Sequence, residues 1–406
     1  INHGMDPRAS LTKSMEAATA SMRWNPENVW AYSNAAYANR IRAEYEMEHG
    51  ADPGPWLNQA IEGFRRMIEI DPNFVQAYSN LGSVYWTKGE YELGRGLDPR
   101  GSLDLAVQHY SRALQLTPNY AMVLQNTGVV FWSKAEYEFQ YGFNPEASFN
   151  SAKESLASAI RINSNYALTY FNLGGVLKAL GDFRKTLGED PLPFYKQAIA
   201  QYEKAIKINP NYAYAFSGLA LAYFAQAEHE LESERSFDAF IKPASENIQK
   251  ALEMNPDYDE PHLIQGYTAI LIARSEVRRR ISPVSNFATA QKAFEQAWKL
   301  NPGDSQVARA FAELHRWKAE WFIAAGRNPK QEIRLGMAWI EKALAISDMP
   351  ELLAIEGTLY LLQARSDRSR QSAQKAVDSL RRALQINPNL TRKYGVYLDE
   401  ALILTR

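Results

Sequence analysis

Cysteine is absent from this 406-residue chain. Disulfide bonds, thiolate nucleophiles and cysteine metal clusters are therefore excluded, but the compartment stays open because disulfide-free proteins occur everywhere. Long apolar runs are missing too: no stretch approaches the roughly 18 residues of a transmembrane helix, so we expect no membrane insertion. The N-terminus lacks the basic-then-apolar order of a signal peptide. The localisation is unknown on these grounds, with the cytoplasm slightly favoured.

A charge excess of either sign is also lacking. The chain has 45 basic and 46 acidic residues, which give a formal net charge of −1. No overall positive field would attract nucleic acid or an anionic membrane, so we predict no nucleic-acid partner. The chain begins with Ile1 rather than methionine. We therefore expect a fragment or a processed product, and a catalytic domain could lie outside it.

Motifs that carry chemistry are scarce. The six histidines include no pair spaced i, i+4, so helical spacing indicates no metal site. The chain has neither a Gly-Lys-Ser/Thr phosphate loop nor a Gly-x-Ser-x-Gly nucleophile elbow. Paired glutamates such as Glu44 and Glu46 recur every 46 residues, whereas a protein builds a catalytic dyad once. We predict no catalytic residue, no cofactor and no metal, and hence no enzyme within this chain.

What the chain does contain is a period of 46 residues, carried by two proline series. The first is Pro7, Pro53, Pro99, Pro145, Pro191, Phe237 in the same slot, Pro283 and Pro329. The second is Pro26, Pro72, Pro118, Ser164, Pro210, Pro256, Pro302 and Asp348, followed after a shorter step of 40 by Pro388. Two interleaved series with one period indicate one supersecondary unit, copied about eight times.

Each unit predicts two helices. Before each second-series position, small residues and one large apolar residue three to four apart indicate a tightly packed helix, which we call helix B. After that position a longer amphipathic helix of around 20 residues begins, which we call helix A. Its recurrent glycines mark where a neighbour must come close. Between A and the next B, the order Gly-x-Asp/Asn-Pro predicts a left-handed stop, an N-cap and a proline in the first helical turn.

These positions resemble the tetratricopeptide repeat (TPR). The clearest copy has Tyr78, Leu81, Gly82 and Tyr85 on helix A, followed by Ala106, Tyr110, Ala113 and Pro118 on helix B. The resemblance implies an all-α, right-handed superhelical solenoid of about eight antiparallel helix pairs with long helices. We expect one solenoid over 1–406, regular over 1–230, more divergent with kinked or shifted helices over 231–389, and closed by a helix over 390–406.

The unit is 12 residues longer than the 34-residue repeat of the family. Such extended repeats are similar to those of some bacterial serine/threonine protein kinases. In the family, helix A lines the concave face, and the resemblance places candidate partner-binding residues there. They are Asn34, Tyr37, Arg40, Asn80, Ser83, Trp86, Asn126, Trp132, Asn172 and Lys178. The recurrent asparagines either bond the backbone of a bound peptide or brace a neighbouring helix, and the tryptophans are either groove anchors or core.

The leading hypothesis is a non-catalytic scaffold that binds a peptide segment or a partner domain on its concave face. The alternatives are the regulatory region of a larger enzyme, such as a bacterial serine/threonine kinase, and a solenoid that self-assembles into a homo-oligomer by end-to-end stacking. An enzyme built on the solenoid itself would need a lone cluster of polar residues that breaks the period. The sequence shows none before residue 230.

Overall fold

Alternating short and long helices build the chain. The computed structural model describes residues 6–406, which form eighteen α-helices and one short 3-10 helix and include no strand. The B helices are α1 (Arg8–Trp24), α3 (Gly54–Ile70), α5 (Arg100–Leu116), α7 (Glu146–Ile162), α9 (Leu192–Ile208), α11 (Asp238–Met254), α13 (Val284–Leu300), α15 (Lys330–Ile346) and α17 (Arg370–Ile386). The A helices are α2 (Val29–Glu48), α4 (Val75–Gly94), α6 (Ala121–Gln140), α8 (Ala167–Thr186), α10 (Ala213–Glu232), α12 (Asp259–Arg278), α14 (Ser305–Ala324) and α16 (Pro350–Asp367). The predicted all-α helical-repeat solenoid is confirmed.

The 46-residue spacing of helix starts continues from α1 to α15. We expected kinked or shifted helices over 231–389, but the helix starts keep their register up to α15, and the shift begins with α16 and α17, which start 45 residues after α14 and 40 residues after α15. The register is kept up to α15 because the small residues of helix B persist there: Ala244, Ala251 and Ala290 remain fully buried. Packing of B against A therefore keeps its register although the corner residues change.

The chain packs as two compact units. The first unit comprises the chain up to Tyr137 together with Ala147–Ser164, and the second comprises Glu138–Glu146 together with Asn165–Arg406. Each unit has its own buried core. In the first unit this core includes Phe64, Leu81 and Tyr110.

The corner between helix A and the next helix B is built as the sequence predicts. Gly50 and Gly96 adopt φ values of 73° and 70°, in the left-handed region where a side chain is strained. The carboxylate of Asp52 accepts a hydrogen bond of 2.9 Å from the backbone N–H of Gly54. Pro53, between them, already has helical dihedral angles. The motif therefore ends one helix and starts the next, which is a structural task.

The glycines of helix A allow the next helix B to approach closely. A Cβ atom at Gly82 would lie 2.7 Å from the ring of Tyr110, and one at Gly174 would lie 2.8 Å from the ring of Tyr202. Both distances are too short for any side chain. A large aromatic residue of helix B therefore fills the space that a glycine of the preceding helix A leaves open.

After α17 the repeat is interrupted. The 3-10 helix Pro388–Leu390 leads into α18 (Thr391–Leu404), the closing helix expected at the C-terminus. Tyr394 on α18 is buried, and its hydroxyl lies 3.2 Å from a carboxylate oxygen of Glu351 on α16 and 3.5 Å from one of Glu313 on α14. The closing helix thus reaches across two A helices of the second unit.

The second unit also joins its beginning to its end. The side-chain amide of Asn387 donates hydrogen bonds to the carbonyl oxygens of Phe139 and Gln140, at 3.0 and 2.8 Å. The hydroxyl of Tyr141 donates to Asp348 at 2.7 Å. These contacts join parts of the chain that lie over 200 residues apart in sequence. The bonds from Asn387 satisfy carbonyl groups at the end of α6 that have no partner within the helix.

Candidate interaction surface

The candidate residues fall on equivalent positions of successive A helices. In the first unit, Asn34, Asn80 and Asn126 share one position of the repeat, and Arg40, Trp86 and Trp132 share another. Asn172 and Lys178 are their equivalents on α8 in the second unit. We call the first-unit residues at these two positions, together with Tyr37 and Ser83, the A-face.

On α2 the A-face is accessible. The side chain of Tyr37 is 51% exposed, and Asn34 is exposed as well. The guanidinium of Arg40 lies 5.1 Å from the centre of the Tyr37 ring and pairs with the carboxylate of Glu44. This cation–π contact restrains an exposed aromatic ring, which lowers the entropy lost when the ring is covered.

On α4 and α6 part of the A-face braces the neighbouring helix. The hydroxyl of Ser83 lies 3.0 Å from the hydroxyl of Tyr110, and Asn126 also hydrogen-bonds to that hydroxyl. Burial is the main reason that the pKa of Tyr110 rises to about 12. For Asn126 the bracing interpretation therefore applies. Asn80 is half-buried at the equivalent position.

The two tryptophans are each partly buried. Trp86 packs against the core of the first unit, and its indole N–H donates to Glu90 at 3.1 Å. Trp132 is half-buried, and its indole nitrogen is enclosed without a hydrogen-bond partner among the described residues. Each ring thus combines a packed side with a partly accessible one.

On α8 the equivalent residues serve local packing. Asn172 is buried, with 6% of its surface exposed. The ammonium of Lys178 pairs with Asp182 at 2.7 Å, and Asp182 also accepts a hydrogen bond of 2.8 Å from the hydroxyl of Tyr195. Burial and the neighbouring carboxylate raise the pKa of Tyr195.

In the second unit, α18 covers the A helices through charged contacts. The ammonium of Lys393 lies 2.8 Å from a carboxylate oxygen of Glu351 and 3.7 Å from one of Glu313. Arg309 pairs with Glu351 at 2.9 Å. Burial alone would raise the pKa of Glu351, but Lys393 and Arg309 outweigh it and lower this pKa to about 2. Glu351 is therefore ionised at neutral pH and anchors the closing helix.

A second ion pair, between Arg365 on α16 and Glu400, holds the other end of α18. Reasoning from the repeat missed these anchors, because α18 follows the shortened step and lies outside the periodic pattern. The one available signal was the pair Lys393-Tyr394 ahead of an apolar segment. It would have suggested an amphipathic helix but not the surface that the helix covers.

Within residues 6–406, no group of three or more histidine, aspartate or glutamate side chains is arranged to hold a metal ion. In the same part of the chain, no helix has the length and apolarity to cross a bilayer.

The repeated B–A packing defines the class: this is a helical-repeat protein. Residues 195–226 match the model of a TPR repeat. The match runs from α9 across the short loop into α10, and so leaves out the extended corner in which this chain is longer. The matched segment is thus similar to one tetratricopeptide repeat, and the 46-residue period places equivalent helix pairs along the described chain.

Several solved structures are similar to this chain. A thermophilic TPR protein of Thermus thermophilus, TTC0263, is 22% identical and is aligned over 58% of this chain and 99% of its own, with a TM-score of 0.41. A tetratricopeptide repeat protein of Parabacteroides merdae is 16% identical and is aligned over 79% of this chain and 98% of its own, with a TM-score of 0.45. The human IFIT1 dimer with m7Gppp-AAAA is 13% identical and is aligned over 98% of this chain and 77% of its own, with a TM-score of 0.56. At 13% identity the IFIT1 alignment shows the fold alone, and no curated protein matches the sequence.

A fold of this kind is consistent with a scaffold for protein–protein interaction, and TPR proteins are generally non-catalytic. The predicted likeness to kinase-associated repeats stays a prediction. The predicted absence of nucleic-acid binding also stays one, because the IFIT1 structure contains a capped RNA.

Proposed function

We propose that the protein is a non-catalytic scaffold that binds a peptide segment or a partner domain on the A-face of its first unit. The observation that carries the proposal lies in the second unit. There, the A helices α14 and α16 hold α18 through Glu313 and Glu351. The chain thus uses its A helices as a surface for another polypeptide segment.

The first unit offers such a surface to a partner through Tyr37 and Arg40. An aromatic ring and a guanidinium are the side chains most enriched at binding hot spots. Tyr37 is exposed while Arg40 holds it in place. Covering the ring would therefore remove apolar surface from water with little loss of side-chain entropy. Trp86, packed on one side, extends this surface to α4.

The test is a crosslinking capture from the native cell extract, with the chain as bait and mass spectrometry as readout. Tyr37→Ala is the test variant, because its exposed ring can be removed without opening the core. Tyr166→Ala is the matched control, since Tyr166 in the second unit is also exposed, at 44%. We expect a protein partner that is captured by the native chain and by Tyr166→Ala, and at least about tenfold less by Tyr37→Ala.

A partner retained equally by Tyr37→Ala would place binding elsewhere and reject the A-face. Nuclease treatment distinguishes a second outcome: if capture depends on RNA, the predicted absence of nucleic-acid binding fails.

Light scattering of the purified chain tests end-to-end stacking, and the sequence encoded upstream of Ile1 tests the regulatory-region alternative. Both alternatives stay predictions.

A further inference from the structure

A trough lies between two successive B helices of the second unit, α13 and α15, with the A helix α14 as its floor. Its volume is about 470 Å³, within the range of small-molecule sites. Phe311, His315 and Lys318 line the floor and occupy one stripe of α14 at i, i+4 and i+7. The residues of α14 that contact α18, such as Glu313, lie on the opposite stripe. The trough is thus separate from the surface that α18 covers.

One repeat earlier, the equivalent trough has a volume of about 620 Å³ between α11, α12 and α13. A trough is therefore a product of the repeat geometry, and its existence alone indicates no ligand. The chemistry of the two differs. Leu252, Ala269 and Ile272 of the earlier trough are replaced after 46 residues by Trp298, His315 and Lys318. This is the period-breaking cluster that was lacking before residue 230.

One end of the later trough is aromatic. The rings of Phe311 and Trp339 stack with their centres 4.1 Å apart, and Trp298 meets Trp339 edge-on at 5.1 Å. The ammonium of Lys342 lies 4.0 Å from the centre of the Trp339 ring. Trp339 is therefore a fixed wall, and the half-buried Trp298 supplies the accessible apolar surface.

The other end is polar: the partly buried cation of Lys318 lies there, and the carboxylates of Glu295 and Glu332 also line the trough. The ammonium of Lys318 donates one hydrogen bond, to the side-chain oxygen of Gln291 at 2.8 Å. Among the described residues no carboxylate lies within ion-pair distance of it. Burial lowers the pKa of Lys318, with Glu332 and Glu295 opposing the effect. An ammonium has three donors, so two remain for a ligand.

His315 adds a second polar group at this end. Its Nδ1 lies 2.7 Å from a carboxylate oxygen of Glu332. Burial would raise the pKa of Glu332, but the hydrogen bond from His315 outweighs it and keeps this pKa low. An ionised Glu332 accepts a hydrogen bond from Nδ1, which fixes the orientation of the ring.

We propose that the trough between α13, α14 and α15 binds a small organic carboxylate with a hydrophobic tail. The carboxylate pairs with Lys318 and the tail lies against the accessible surface of Trp298. An anion at Lys318 would fill donors that the protein leaves open, and a charge-assisted hydrogen bond in a partly buried site is the stronger kind. This ligand site would be a second one, in addition to the A-face of the first unit.

The test uses calorimetry on the full chain with 4-phenylbutyrate as the probe and 4-phenylbutanol as its neutral analogue. We expect saturable binding of the acid and binding of the alcohol that is at least about tenfold weaker. Lys318→Met should weaken binding of the acid by a similar factor. Lys292→Met removes one positive charge from an exposed position of α13 and should leave binding unchanged.

Trp298→Leu restores the residue of the earlier trough and should weaken the acid and the alcohol together, because it shortens the apolar wall. The proposal is overturned if the acid shows no saturation up to about 10 mM, if the alcohol binds as well as the acid, or if Lys318→Met binds as the native chain does. The comparison of acid with alcohol needs no variant, so it decides the question even where Lys318→Met folds poorly.

Discussion

Gly82 shows how a single residue fixes the distance between helices. A Cβ atom there would lie 2.7 Å from the Tyr110 ring, which is fully buried. We expect Gly82→Ala to lower the free energy of unfolding of the first unit by about 1–3 kcal/mol, the cost of overpacking. Urea denaturation followed by circular dichroism measures it.

Gly101 provides the control for that substitution. It lies in α5, and a Cβ atom there meets nothing within 4 Å. Gly101→Ala should therefore raise stability by up to about 1 kcal/mol through helix propensity. Equal effects of the two substitutions would show that close approach at Gly82 is not what requires glycine.

The left-handed corner offers a second residue-scale prediction. Arg280 has φ 59° in the slot where five other repeats carry glycines of positive φ. We expect Arg280→Gly to stabilise the second unit by about 0.5–1 kcal/mol, because relief of left-handed strain exceeds the extra entropy of glycine. Arg279 has an ordinary φ of −85°, so Arg279→Gly should destabilise. A raised melting temperature for both variants would contradict this account.

At the scale of elements, the period predicted helix type, order and length because each helix is specified by residues that recur every 46 positions. Ala106, Tyr110 and Ala113 bury one face of α5, and their equivalents do the same in later repeats. The docking of α18 could not be predicted. It depends on Lys393 and Tyr394 meeting Glu351, residues that belong to no periodic position and that meet only after the chain has folded.

The attachment of α18 should depend on pH. Glu351 has a folded pKa of about 2, below its ordinary value of 4.5. The stability it contributes is therefore complete above about pH 5 and is lost as the pH falls from 4.5 towards 2. Glu351→Gln should lower the free energy of unfolding at pH 7 by on the order of 1–3 kcal/mol. The stability of this variant should then fall less steeply than that of the native chain as the pH is lowered. Thermal melts at several pH values check this.

Glu341 supplies the control for the acid series. It is an exposed carboxylate on α15, so Glu341→Gln should leave the acid loss of the native chain unchanged. Parallel acid curves for Glu351→Gln and the native chain would show that other carboxylates cause the loss. Hydrogen exchange in α18 locates the effect, since protection there should fall first.

At the scale of the whole second unit, closure changes the expected cooperativity. In an open solenoid each repeat contacts only its neighbours, so damage at one end stays local. Here Asn387 bonds the carbonyl oxygens of Phe139 and Gln140, which makes the two ends of the unit neighbours. Loss of that contact should therefore be felt at both ends at once.

Asn387→Ala tests this closure, and Asn209→Ala is its matched control. Both side chains accept a hydrogen bond from the backbone N–H two residues on, at 2.9 and 3.1 Å, but only Asn387 also reaches the end of α6. Loss of the two hydrogen bonds to Phe139 and Gln140 should lower the free energy of unfolding by about 1–3 kcal/mol more than in the control. Asn387→Ala should lower exchange protection at 138–146 as well as in α18, and Asn209→Ala should leave 138–146 unchanged. A purely local response to Asn387→Ala would show that the unit behaves as an open solenoid despite the contact.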